Sequence, residues 1–208
     1  MRTDILSAKD PETLLLALAV LQTGGLVAFP TDTVYGLGAL AFHSAAVRRI
    51  YAAKDRPVEK AIPVLIADPA DLEKVTLEVP SVAVRLASRF WPGPLTLVVE
   101  KHPDLPETVS AGSTVGVRVP DHPVARALLR AAGPMAVTSA NLSGQPSPST
   151  AQAVLAQLGG RIELILDGGE TPGGISSTVV DCTGTQPRIL RPGPVSKDEI
   201  WAVLGLDL

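Results

Sequence analysis

Leu26-Val27-Ala28-Phe29-Pro30-Thr31-Asp32-Thr33-Val34-Tyr35-Gly36-Leu37-Gly38 is the stretch on which the fold class turns. Its first four residues are an uninterrupted apolar run, which reads as a short buried strand, and Pro30 ends it. Upstream, Asp10-Pro11 has the chemistry of a helix start. An acceptor carboxylate precedes a residue with no N–H to leave unpaired. That helix runs to about Gln22 and stops at Gly24-Gly25. Downstream, a second helix begins near Ser44, its expected cap, and carries Val47, Ile50 and Tyr51 at helical spacing. Helix, buried strand, polar loop and helix in succession predict an α/β protein.

The alternation continues along the chain. Ile62 to Ile66 reads as a strand, Asp68-Pro69 as another capped helix start, and Ser81 to Phe90 as a helix. Trp91-Pro92-Gly93-Pro94 is a rigid turn. Leu95 to Val99 and Val115 to Val119 read as strands, with a helix capped by Asp121 running through Arg130. Met135 to Thr138 is a strand, Thr150 to Leu158 a helix and Arg161 to Leu166 a strand. Thr178 to Asp181 and Arg188 to Leu190 are short strands. Ser196-Lys197-Asp198-Glu199 is a capping box that opens the last helix. The predicted class is α/β, a twisted mixed sheet with flanking helices. No repeat, low-complexity tract or linker divides residues 1–208, so one domain is expected.

Composition narrows the function. The 46% hydrophobic residues supply a core and exclude disorder. A net charge of -3 gives no global basic field for nucleic acid. Aromatics at 3% argue against a stacking surface for single strands. The one cysteine, Cys182, excludes an internal disulfide and a multi-cysteine metal site, and fits a reducing cytoplasm. Neither a signal peptide nor a membrane-spanning run is evident, so a soluble cytoplasmic protein is expected.

Several motifs are absent: no G-x-x-x-x-G-K-[ST] loop, no G-x-S-x-G elbow, and no i, i+4 histidine pair. His43, His102 and His122 are scattered and read as surface or loop residues. Gly36-Leu37-Gly38-Ala39-Leu40-Ala41 fits G-x-G-x-x-A, with Asp55 about 20 residues on. However, Pro30 to Tyr35 separate it from the strand and Ser44 lies beyond it, so a glycine-rich turn is the better reading.

Four segments carry candidate chemistry. Pro30 to Gly38 gathers hydroxyls, a carboxylate and a phenol at a strand's C-terminal end, where α/β folds place ligands; a locally capped turn is the alternative. Arg48, Arg49, Lys54, Arg56 and Lys60 put five cations in thirteen residues of an acidic protein. Pro57 disfavours helical geometry at Arg56, so Lys54 and Arg56 leave a regular helix face and suit phosphate. The alternative is a basic helix end complementing the macrodipole. Thr138 to Ser147 runs from an apolar strand into hydroxyls and an amide, suited to an anion or a nucleobase, or to an ordinary turn. Lastly, Gly173 to Thr178 pairs with Leu190-Arg191-Pro192-Gly193. Here Arg118, inside an alternating strand, must face water or a partner, and on a cleft wall it would take a carboxylate bidentately. Together these features describe a polar, locally cationic cleft without a metal cluster or activated nucleophile. That favours positioning and electrostatics on a phosphorylated ligand.

The same segments resemble the YrdC-like family, whose members include threonylcarbamoyl-AMP synthases. The matching stretches are Phe29 to Gly38, Lys54 to Pro57, Trp91 to Thr96, Val117 to Pro120, Ser139 to Gly144, Ser177 to Asp181 and Leu190 to Gly193. They occur in the family's order and cover most of the chain. The chain ends soon after Gly193 and looks like the family's short form. The resemblance implies a twisted α/β sheet with a concave, cationic cavity. It also implies a nucleotidyltransferase that makes threonylcarbamoyl-AMP and pyrophosphate from L-threonine, bicarbonate and ATP, with Mg2+ on the nucleotide. Lys54 and Arg56 would hold phosphates and serve catalysis. Lys60, Thr114, Ser139, Asn141, Ser147 and Arg191 would contact ATP, while Thr33, Arg118 and Ser177 would bind threonine. No protein metal ligand and no general base is implied, because the substrate's own carbamate is the nucleophile. The expected partner is a downstream transferase complex acting on tRNA, with direct tRNA contact at most weak.

One departure stands out. Some relatives follow K-x-R-P with a histidine that touches threonine, and that position holds Leu65. The alternatives are therefore a YrdC-like paralogue using another small substrate, or an RNA-binding module. Net acidity and scarce aromatics weigh against the module. The stretch from Gly168-Gly169 to Gly173-Gly174 reads either as a flexing cover or as an ordinary loop.

Overall fold

A computed structural model describes residues 2–172 and 175–205. The chain opens with a strand that the sequence did not reveal, β1 (Asp4–Ser7). Helix α1 (Pro11–Gln22) then starts as predicted, with Asp10 accepting the Glu12 amide and Pro11 in the first turn. Strand β2 (Val27–Pro30) is buried at every position. It returns as β3 (Tyr35–Leu40) and leads into α2 (Ser44–Lys54). A two-residue β4 (Val64–Leu65), a 3-10 turn (Pro69–Lys74) and α3 (Ser81–Phe90) follow. Strands β5 (Leu95–Glu100) and β6 (Thr114–Arg118) precede α4 (Pro123–Ala132) and β7 (Met135–Ser139). The last part comprises α5 (Ala151–Leu158), β8 (Leu164–Asp167), β9 (Thr178–Asp181), β10 (Arg188–Arg191) and α6 (Lys197–Leu204).

Among the described residues the ten strands form one sheet in the order β1-β8-β2-β3-β7-β4-β6-β5-β9-β10. It is mixed: β8 runs parallel to β1 and β2, β4 to β6 and β5 to β9, while the other neighbours are antiparallel. Ala17 and Leu21 of α1 and Leu128 and Leu129 of α4 pack with Phe29 and Met135 in one core layer. A larger layer gathers Ile50, Leu86, Leu97, Val117 and Ile200. None of the described helices is long and apolar enough to cross a membrane.

The structure corrects several sequence readings. Gly36-Leu37-Gly38 is part of β3 rather than a turn, because β7 covers the bare face of both glycines. A Cβ on Gly36 would lie 2.7 Å from Val137 Cγ1, and one on Gly38 2.8 Å from Met135 Cε. The first helix after it is capped by His43, not Ser44, and α4 by His122, not Asp121. In each case the ring Nδ1 accepts a backbone N–H. The strand expected over Ile62 to Ile66 shortens to β4, and Asp68-Pro69 opens a 3-10 turn. Gly173 and Gly174 lie outside the described residues.

Two outcomes follow from this packing. Val137 is β-branched and stiff, so Gly36→Ala should lower stability by about 1–3 kcal/mol in urea unfolding. His122 caps α4 only while Nδ1 is unprotonated. Burial holds its pKa below 6.5, against the pull of Asp32 and Asp121. The unfolded chain therefore takes up this proton first. The contribution is present above 6.5 and is lost as pH falls through the folded value. Between about pH 7 and 5, the urea midpoint of the wild type should fall more than that of His122→Asn, which keeps a cap acceptor without a titrating ring.

Candidate active site

Four strands supply one wall of a cavity of about 400 Å³. Leu65 of β4 registers with Arg118 of β6, Val98 of β5 with Gly116, and Thr96 with Val179 of β9. The β2–β3 turn brings Thr31 and Thr33, and β7 ends there with Thr138 and Ser139. No carboxylate lies among the lining residues, and three arginines do: Arg56, Arg118 and Arg191.

Arg118 is only 6% exposed. Its Nε donates to the Gly93 carbonyl at 2.9 Å, Nη1 to Thr33 Oγ1 at 3.2 Å and Nη2 to Asp32 Oδ1 at 2.6 Å. A guanidinium has five N–H donors, so two remain for a ligand. Burial lowers its pKa and Asp32 opposes that shift. Asp32 is itself held, because the same Oδ1 accepts the Asp121 amide at 3.0 Å.

Arg191 donates to the Ser177 carbonyl from Nε and Nη2, at 3.1 and 2.8 Å, and from Nη2 to Ser177 Oγ at 3.2 Å. The Pro192-Gly193 turn makes this possible. A Cβ on Gly193 would come within 2.4 Å of the Thr178 nitrogen, so only glycine lets the turn lie on that backbone. Burial lowers the pKa of Arg191, and the charge of Arg118 lowers it further. The two guanidiniums thus repel each other across shared space. Arg56 lies on the rim, donating to the Lys60 and Ala61 carbonyls at 3.3 and 2.9 Å.

Lys54 is 1% exposed. Its Nζ donates to the carbonyls of Ser139 and Asn141, while the Ser143 amide returns a 2.8 Å bond to the Lys54 carbonyl. Burial pushes the ammonium down to about 7, with the like charge of Arg56 adding to the shift. Asn141 donates from Nδ2 to the Leu142 and Gln145 carbonyls, at 2.7 and 2.8 Å. Its buried Oδ1 has no partner among the described residues.

The cavity therefore brings together Thr33, Arg56, Arg118, Ser139, Ser177 and Arg191. Lys54 and Asn141 are buried behind Ser139. Lys60 and Ser147 are exposed and outside the lining, and Thr114 occupies the face of β6 shared by Gly116 and Arg118, beyond the lining. Thr31, Thr138 and Ser176, which lie in the candidate segments, and Thr96 also line the wall, though the sequence assigned none of them an individual role. Thr96 had a signal: a lone hydroxyl between Leu95 and Leu97 in an apolar strand.

A family model, Sua5/YciO/YrdC, described as Telomere recombination, matches residues 19–193. The chain belongs to the Sua5/YciO/YrdC family. It is 50% identical over 206 residues to a Bacillus subtilis protein named threonylcarbamoyl-AMP synthase, covering 98% of this chain and 59% of that one. It superposes with TM-score 0.91 and 45% identity on a crystal structure of P. abyssi Sua5 complexed with L-threonine, covering 94% of this chain and 58% of that one. E. coli YciO matches with TM-score 0.86 and 27% identity, covering 95% and 99%. The chain thus spans well under two thirds of the first two relatives.

Lys54 and the loop after β7 form one unit in this Sua5/YciO/YrdC fold. Lys54→Met should strand two carbonyls and lower stability by about 2–4 kcal/mol. Amide hydrogen exchange should quicken most over residues 141–145; a uniform change along the chain would contradict the tether.

Proposed function

We propose that this chain is an L-threonylcarbamoyladenylate synthase, forming threonylcarbamoyl-AMP and pyrophosphate from threonine, bicarbonate and ATP for tRNA threonylcarbamoyladenosine modification. The observation that carries the reading is the meeting of Arg118 and Arg191 in a hydroxyl-lined wall with no lining carboxylate. Asp32 pairs with Arg118 but leaves it two N–H donors, and Arg191 has no carboxylate partner among the described residues, so the wall suits a ligand with two anionic groups. A carboxylated amino acid beside a nucleotide is such a ligand.

In this reading the threonine carboxylate takes the two uncommitted N–H groups of Arg118. The amine forms an N–C bond to carbon dioxide drawn from bicarbonate, with loss of water. A carbamate oxygen then bonds to the α-phosphorus, and the bond to pyrophosphate breaks with its electron pair leaving on oxygen. Arg56 and Arg191 offset the charge of the phosphates, while Lys54, buried behind Ser139, acts by holding the Ser139 and Asn141 carbonyls, and Lys60 lies outside the lining. Ser139 meets the nucleotide on the cavity wall, with Asn141 supporting it from behind and Thr114 and Ser147 lying outside the lining. The wall's guanidiniums and hydroxyls suit phosphate oxygens and not a divalent cation, so Mg2+ enters on the nucleotide. The product passes to a transferase acting on tRNA, in the cytoplasm.

A second reading is a YrdC-like paralogue with another acceptor. Leu65, 5% exposed and registered with Arg118, favours it, since it gives that side of the wall no polar contact. Pyrophosphate release from MgATP separates the two. The synthase requires both threonine and bicarbonate, and Arg191→Gln should lower kcat/KM by at least about a hundredfold. ATP binding with release indifferent to threonine would replace this reading with the paralogue.

A further inference from the structure

Two hydroxyl pairs flank Arg118, and their hydrogen bonds leave a free lone pair on one and a free proton on the other. Thr31 donates its one proton to the Val34 carbonyl at 2.7 Å. Thr31 Oγ1 also accepts the Thr33 and Val34 amides at 3.2 and 3.3 Å, so both its lone pairs are engaged alongside its 3.0 Å contact with Thr33 Oγ1. Thr33 Oγ1 accepts from Arg118. One lone pair of Thr33 Oγ1 remains, so Thr33 offers the cavity an acceptor. On the other side, Thr96 Oγ1 and Ser177 Oγ lie 2.8 Å apart. Ser177 Oγ already accepts from Arg191. This pair holds two protons and shares one bond. Among the described residues nothing else accepts the second proton, so the pair faces the cavity as a donor.

Position decides what that donor meets. Thr96 is 5% exposed on β5, and the register that sets Leu97 opposite Val117 places Thr96 beside Arg118. Gly116 leaves room next to it: a Cβ there would come within 3.1 Å of the Thr96 methyl. Val98 and Val179 complete an apolar surround. An α-amino acid held by its carboxylate at Arg118 directs its amine to an acceptor, which is Thr33. Its side chain then falls towards Thr96 and Ser177.

We infer that Thr96 is a specificity-determining residue, which with Ser177 recognises the side-chain hydroxyl of the amino-acid substrate. The inference rests on the threonine reading above and names the group that would enforce it. A β-hydroxyl can take the free proton of the pair, and the neighbouring valines and Gly116 accommodate its methyl. A substrate with a methylene there leaves a buried donor unmet, which a polar subsite penalises more heavily than an apolar one does.

The test compares L-threonine with L-2-aminobutyrate, which lacks only the hydroxyl, by pyrophosphate release in wild type, Thr96→Val and Thr96→Ser. The wild type should prefer threonine at least about tenfold in kcat/KM. Thr96→Val, of the same shape, should lose about tenfold of that preference while KM for ATP stays put; Thr96→Ser should keep it. A general structural defect would lower both amino acids and ATP together. Equal use of the two substrates by wild type, which needs no variant, overturns the inference. So does a preference that survives Thr96→Val, and in that case the synthase reading stands. Wild type that releases pyrophosphate with neither amino acid overturns both.

Discussion

A guanidinium buried inside a sheet constrains everything around the cavity. An ionised side chain so little exposed as Arg118 is costly unless hydrogen bonds replace its water. Its partners come from three distant segments: the β2–β3 turn, the Trp91 to Pro94 turn and, through Asp32, the start of α4. Each is thereby fixed relative to β6. The ion pair adds little as a source of stability, since desolvation offsets most of its attraction. Its effect is geometric, because it fixes the guanidinium in the cavity wall with two N–H groups uncommitted.

The mixed sheet explains how so many functional groups converge. In a wholly parallel sheet only the C-terminal ends of strands share an edge. Here β5 is antiparallel to β6, and β9 to β10. Thr96, near the start of β5, and Ser177, just before β9, therefore reach Arg118 and Arg191 at the ends of their own strands. The parallel pairing of β5 with β9 then sets Thr96 and Ser177 within one hydrogen bond.

Helices with a cap and a stop were legible in the sequence, as were strands that form continuous apolar runs. Asp10-Pro11 and the Ser196 capping box act locally, so no tertiary knowledge was needed. Strand β1 is half exposed and short, with no periodicity to detect; it exists because β8 offers an edge. Strand β3 was hidden by its glycines, whose reason is the packing of β7 across long sequence separation. Among site residues, arginines and loop hydroxyls announced themselves by departing from apolar surroundings. The role of Asp32 did not, because a carboxylate in a Thr-Asp-Thr turn looks like a local cap until Arg118 is seen beside it. Nor could sequence foretell that Lys54 reaches two carbonyls behind the wall, or that His43 and His122 are helix caps.

The division of labour between lysine and arginine follows from the same burial. Desolvation lowers the pKa of Lys54, Arg56, Arg118 and Arg191. Guanidinium starts so high that it stays charged regardless, so Arg56, Arg118 and Arg191 present permanent charge to the cavity. Burial brings the Lys54 ammonium down to about 7, within the physiological range. Its two carbonyl contacts tolerate this, because a neutral amine still has two N–H groups to give. Lysine can therefore serve as a tether whose bonds do not depend on its charge. On the wall the argument reverses. There a lysine would offer variable charge and a single point of contact where a carboxylate or phosphate calls for a permanent, two-pronged donor.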